Sequence, residues 1–204
     1  MFEILGRLKM SFENPQPALD FTNPFELLIA TILSAQCTDA RVNQVTNQLF
    51  KKYRTPQDYL DVSLEMLEDD IHSTGFFHNK AVNIKKCCRA LVDHHNGAVP
   101  GTMDELTALA GVGRKTANVV LGNAFGIPGI AVDTHVKRIS GLLGMTKETN
   151  PDKIEADLVK IVPEADWTAL GHLLASHGRA TCIARRSKCE ECIIGDLCPA
   201  GPGN

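Results

Sequence analysis

The 204-residue sequence predicts an all-α protein, and three observations predict it. Apolar residues recur at three- and four-residue steps along most of the chain, the period that gathers side chains on one face of a helix. Turn signals divide the chain into segments of helical length. No segment alternates apolar and polar residues long enough to form a half-buried strand.

In chain order, Phe25, Leu28, Ile29, Ile32 and Leu33 make the first such face. Pro24 suits the first helical position, and Asn23 before it is a candidate N-cap. Further helices are expected over 39–53, 63–72 and 79–95; in the last, Val82, Ile84, Cys88, Leu91 and Val92 repeat more loosely. Others follow over 103–110, 114–124, 135–144, 151–161 and 165–176. Thr55-Pro56, Asn96-Gly97, Val99-Pro100-Gly101, Ile127-Pro128-Gly129 and Asn150-Pro151 are read as the turns between them. No short repeat is evident, which excludes a helical solenoid.

The composition, 44% hydrophobic and 22% charged, suits a folded chain with a sizeable core. No run nears the roughly 20 apolar residues that span a bilayer, and Met1 to Met10 has no signal-peptide core. The expectation is a cytoplasmic protein with no membrane partner. A net charge of −3 conceals an asymmetry. Asp58, Asp61, Glu65, Glu68, Asp69 and Asp70 fall in a stretch, Thr55 to Asn79, without Lys or Arg. From His177 to Lys188 there are only bases: Arg179, Arg185, Arg186 and Lys188. Arg114, Lys115, Lys137 and Arg138 form another basic group. Such a distribution suits either a phosphate backbone or ordinary solvated faces.

Leu109-Ala110-Gly111-Val112-Gly113-Arg114-Lys115 places a Gly-x-Gly turn between two helical segments. The amides that open the second helix lack intrahelical partners and can donate to a phosphate. A plain helix–helix connector is the competing reading. Lys115, just inside that helix, is either a surface cation or a nucleophile. Asp133, in Val132-Asp133-Thr134-His135, is either an N-cap or a carboxylate of the same site. A nucleophilic lysine must lose its proton, and desolvation, Arg114 and a helix N-terminus favour that loss. A carboxylate opposes it, so Asp133 is expected to accept a proton or to stabilise developing positive charge.

Of seven cysteines, Cys182, Cys189, Cys192 and Cys198 crowd the last 25 residues. Four thiolates spaced Cys-x6-Cys-x2-Cys-x5-Cys can enclose one metal centre. All-cysteine zinc sites more often show two short pairs. Zinc and an iron–sulfur cluster both stay open on spacing alone.

Together, Leu28–Asp39 (LIATILSAQCTD), Leu109–Ala124 (LAGVGRKTANVVLGNA), Ile130–Arg138 (IAVDTHVKR) and His177–Ala184 (HGRATCIA) with the cysteine spacing resemble endonuclease III. That is a family of helix-hairpin-helix DNA glycosylase/AP lyases. The resemblance implies a two-lobed protein: a six-helix domain over 21–128, and a discontinuous cluster domain from 1–20 and 129–204. It implies a [4Fe-4S] cluster on Cys182, Cys189, Cys192 and Cys198. It implies Lys115 as nucleophile and Asp133 as the essential carboxylate. Gln36 matches the residue that fills the gap left by the flipped base, and Phe76 matches the wedge on the other strand; an aromatic there also suits a plain core. Gly111, Gly113, Arg114, His135, Arg179, Arg185, Arg186 and Lys188 complete the expected DNA contacts.

The implied partner is double-stranded DNA carrying damaged pyrimidines or abasic sites, bound by a monomer associated with the chromosome. The implied reaction is base removal through a Lys115 Schiff base, followed by β-elimination. Two positions depart from the family pattern: Ala110, where many relatives have proline, and Thr107, where some have glutamate. Altered rate or substrate preference is expected from them. Adenine-mismatch glycosylases share the scaffold but lack the lysine, and a pyrimidine-dimer glycosylase keeps it. A non-catalytic DNA-binding module is the rival from another class.

Overall fold

The computed structural model describes residues 1–13 and 15–201, and the described residues contain helices and no strand. Two compact units emerge: Pro17–Ile127, and Met1–Gln16 with Pro128–Asn204.

The first unit is built around α2 (Pro24–Leu33), which buries every residue from Leu27 to Leu33. A helix apolar on all sides belongs inside. Its start is fixed locally: the Asn23 side chain accepts from the Glu26 N–H at 3.0 Å, and Pro24 needs no amide partner. Around it lie α3 (Asp39–Lys52), α4 (Pro56–Asp61), α5 (Leu64–Ile71), α6 (Phe77–His95), α7 (Met103–Ala108) and α8 (Arg114–Ala124). α8 packs on α2, and α6 packs on α4 and α5. The core they share includes Leu28, Ile29, Ile84, Leu91 and Leu121. α6 ends where Asn96 turns left-handed (φ 54°) and the Gly97 N–H returns to the Leu91 carbonyl.

The second unit holds α1 (Phe2–Ser11), α9 (Thr134–Leu142), α10 (Pro151–Ile161) and α11 (Trp167–Ala180). α11 packs on both α9 and α1, and Ile4, Leu5 and Leu8 join Val136, Ile139 and Leu173 in one core. Asn150 caps α10 ahead of Pro151.

Two expectations need correction. Thr55-Pro56 is no turn between helices but the N-cap and first residue of α4, completed by a capping box with Asp58. Six residues make under two turns, too short for a periodic signal, and a helix start uses the same Thr-Pro chemistry as a turn. α11 also runs on to Ala180, past the expected end at 176, because Ser176 is followed by a buried His177 and Gly178 that still pack inward. Among the described residues no helix is long and apolar enough to cross a membrane.

Candidate nucleic-acid and catalytic site

In the first unit, α7 and α8 form a helical hairpin joined by residues 109–113. Val112 plugs the turn into the core at 6% exposure, and its N–H bonds the Leu109 carbonyl. The two glycines serve different ends. Gly111 has φ 79°, and a Cβ there would sit 3.1 Å from that of Asn83. A side chain at 111 is therefore opposed by both backbone and neighbour. Gly113 has an ordinary φ of −96° and open space around it. It is the N-cap of α8 and, having no side chain, makes no side-chain cap bond at this positive helix end. Arg114 and Lys115 follow, both exposed in the first turn. Thr107 donates back to the Met103 carbonyl at 2.9 Å, within its own helix.

Gln36 and Phe76 share a backbone feature that the sequence did not reveal. Both are non-glycine residues in the left-handed region, at φ 53° and 48°. Such strain is uncommon and tends to gather at functional positions. Phe76 is 63% exposed, so the core reading of this aromatic does not hold.

In the second unit, Asp133 is the N-cap of α9: its Oδ1 accepts from the Val136 N–H at 2.8 Å. The capping role and a chemical role are compatible, since a carboxylate offers about four acceptor positions. Burial, then Arg179, hold the His172 imidazole below its usual range, while Asp133 acts in the opposite sense. His172 therefore stands in the field of Asp133, a neighbour that lone sequence spacing gave no means of finding. His135, half-buried on α9, lies against Gly178 of α11.

The four cysteines Cys182, Cys189, Cys192 and Cys198 line one cavity of about 110 Å³. Local backbone geometry explains the spacing of the last three. Amide-to-carbonyl bonds run from Cys192 to Cys189, Gly195 to Cys192, Cys198 to Gly195 and Gly201 to Cys198. The chain thus winds at three residues per turn, and residues three or six apart fall on the same side. Gly201 must be glycine here, because a Cβ would lie 2.8 Å from the Gly195 carbonyl.

Two further side chains reach the sulfurs. Arg138 donates to Cys182 through Nη1 to Sγ at 3.2 Å and Nη2 to the carbonyl at 2.6 Å. The His177 Nε2 lies 3.7 Å from Cys192 Sγ, and burial, then Arg138, hold its imidazole below the usual range. Burial pushes the Cys192 thiol up, and the other three cysteines add to the effect. The sulfurs crowd one another, and each that gives up its proton makes the next less ready to do so. Among the described residues, no three His, Cys, Asp or Glu side chains converge as one bare metal ion requires.

Arg185, Arg186 and Lys188 are exposed on the loop between Cys182 and Cys189, with Arg185 left-handed at φ 66°. Arg179 is exposed near the end of α11. The structure thus gathers the four cysteines around one cavity and puts three of the bases on the loop that closes it. Arg138 and His177, which contact the sulfurs, had no such role in the sequence reading. Their clue was their place beside Asp133 and Cys182 in segments already singled out.

Residues 29–164 match the family described as HhH-GPD superfamily base excision DNA repair protein. Endonuclease III of Synechocystis sp. is 51% identical over 97% of this chain and 91% of its own length. Endonuclease III of Escherichia coli is 47% identical over 96% of this chain and 93% of its own. The solved structure of a trapped endonuclease III–DNA covalent intermediate matches with a TM-score of 0.94 and 49% identity. That match covers 98% of this chain and 94% of the other. With family, fold and hairpin in agreement, the chain belongs to the endonuclease III family of the HhH-GPD superfamily, the base excision repair DNA glycosylase/AP lyases.

Proposed function

We propose that Lys115 is the nucleophile and that the substrates are oxidised pyrimidines and abasic sites in duplex DNA. The observation that carries this reading is an exposed lysine in the first turn of α8, directly after a glycine-capped hairpin. The hairpin amides hold a backbone phosphate near the reacting sugar. Lys115 Nζ, deprotonated, attacks C1′ and the damaged base leaves with the glycosidic electron pair. The sugar ring opens to a Schiff base between Nζ and C1′. Loss of a proton from C2′ then expels the 3′ phosphate and cuts the strand.

Asp133 stabilises the positive charge that develops on the sugar and accepts a proton during base loss. Gln36 fills the space left by the extruded nucleotide, and Phe76 enters from the opposite strand. Extrusion costs a few kcal/mol of stacking and pairing, which inserted side chains partly offset. Arg114, His135, Arg179, Arg185, Arg186 and Lys188 contact the DNA, and the glycines at 111 and 113 admit its backbone.

Cys182, Cys189, Cys192 and Cys198 hold a [4Fe-4S] cluster. The donor set supports this: four soft thiolates from one short stretch line a single cavity, the ligand set such clusters take. When bound, the cluster supplies a four-point cross-link and one-electron chemistry. The chain's own part is to present Arg185, Arg186 and Lys188 on the loop so closed.

Borohydride trapping on duplex DNA with one thymine glycol tests the assignment, comparing the wild type with Lys115→Ala. An adduct formed only when Lys115 is present is expected. An adduct in both would assign the attack to another amine and overturn the reading.

A further inference from the structure

Lys80 is a buried lysine with no part in the chemistry above. It sits in the first turn of α6 at 5% exposure. Its Nζ donates to two main-chain carbonyls from distant parts of the chain, Leu33 at 2.7 Å and Thr74 at 2.9 Å. A buried ammonium costs far more than an apolar side chain of the same volume, so its position calls for an explanation. Burial accordingly pulls its proton affinity down, with Cys37 the opposing influence.

The two carbonyls are informative. Leu33 ends α2, where an outward carbonyl lacks a helical partner and positive charge is favoured. Three residues later comes Gln36. Thr74 closes the short 3-10 turn 72–74, and two residues later comes Phe76. The main-chain N–H of Lys80 also bonds the Phe76 carbonyl at 3.1 Å. One residue thus grips the roots of both loops whose tips are left-handed and outward. An apolar residue could fill the space, but it could not join two carbonyls.

We propose that Lys80 is a positioning residue: it fixes the spacing of the Gln36 and Phe76 tips so that both enter the duplex together when the damaged nucleotide is extruded. The proposal rests on the intercalating roles given above to Gln36 and Phe76. Two tips tied to one ammonium are held in register before DNA arrives. Less of the extrusion step is then lost to ordering the loops.

The test is a double-variant cycle on single-turnover excision from a thymine glycol duplex. A 2-aminopurine opposite the lesion reports base unstacking in the same reaction. F76A and Q36A are measured in the wild type and in a K80M background. If Lys80 acts through the tips, K80M slows excision about tenfold and lowers the unstacking signal. F76A then costs little more in that background, since coupled residues are not additive.

Full multiplicative costs in both backgrounds would overturn the proposal, because a generally weakened fold leaves the tips' contributions intact. If F76A and Q36A cost nothing in the wild type while the Lys115 adduct still forms, the intercalating roles fail and the proposal fails with them. Should K80M not fold, K80Q, whose amide can still donate, carries the same cycle. Loss of fold in both at 4 °C would make Lys80 a core element and overturn the proposal as well.

Discussion

Gly178 of α11 lies against the ring of His135 on α9, so close that a Cβ at 178 would stand 2.4 Å from His135 Nδ1 and 3.1 Å from Ile139 Cδ1. The two helices meet through this missing side chain. His135 is fixed two residues after Asp133, the cap of the same helix. Gly178→Ala is therefore expected to push the imidazole out of place and part the helices. Overpacking of this kind costs about 1–3 kcal/mol. Thermal unfolding should show the loss, and DNA affinity should fall with it. An unchanged affinity would remove His135 from the DNA contacts.

Asp133 has a structural task that can be separated from a chemical one. Asparagine caps a helix about as well as aspartate, but it carries no charge. Asp133→Asn should keep nearly all of the stability and lower base excision by about 10²- to 10⁴-fold, the range of an acid–base contribution. Asp133→Ala should lose the activity and, in addition, about 1 kcal/mol of cap stability. Equal activity in Asp133→Asn and the wild type would reduce the residue to its cap.

Arg138 binds both the sulfur and the carbonyl of Cys182. Donors behind a metal-binding ligand commonly influence its hold by about 10- to 100-fold. With the proposed cluster in place, Arg138→Leu should therefore speed loss of its visible absorbance in chelator by about that factor. Decay at the wild-type rate would show that the guanidinium does not support the ligand.

The first unit is expected to weaken in alkali. Burial pushes the Cys87 thiol from 9.0 up to about 12, and burial with the Asp70 hydrogen bond pushes the Tyr53 phenol from 10.0 to about 12. Both keep their protons when folded and lose them earlier when unfolded. The unfolded state then binds fewer protons, so stability is fully present below about pH 9 and falls as pH rises toward 12, by about 1.4 kcal/mol per unit per group. Denaturant melts between pH 8 and 11 measure the slope. Cys87→Ala and Tyr53→Phe should each flatten it.

Helix positions were legible wherever a side chain's role is local. Asn23 and Asp133 cap their helices through bonds that reach only three residues onward. The spacing of the last three cysteines, three and six residues apart, follows one winding turn, whereas the seven-residue step from Cys182 to Cys189 spans a loop. α4 escaped because a helix of six residues shows no period, and its Thr-Pro start also reads as a turn.

What the sequence by itself determined is the set of residues whose chemistry follows from type and near neighbours: the glycine hairpin, the lysine after it, the capped aspartate and the four thiols. Only the tertiary structure decided which distant partners those residues meet. Lys80 is an ordinary helix lysine until Leu33, 47 positions away, presents a carbonyl to it. Arg138 is a surface base by sequence, and 44 positions separate it from the cysteine it binds. Phe76 could be core or tip until the left-handed turn at its own backbone turned it outward. The physical reason is common to all three. Hydrogen bonds and burial act over a few ångströms in space, and packing of the helices sets which parts of the chain come that near.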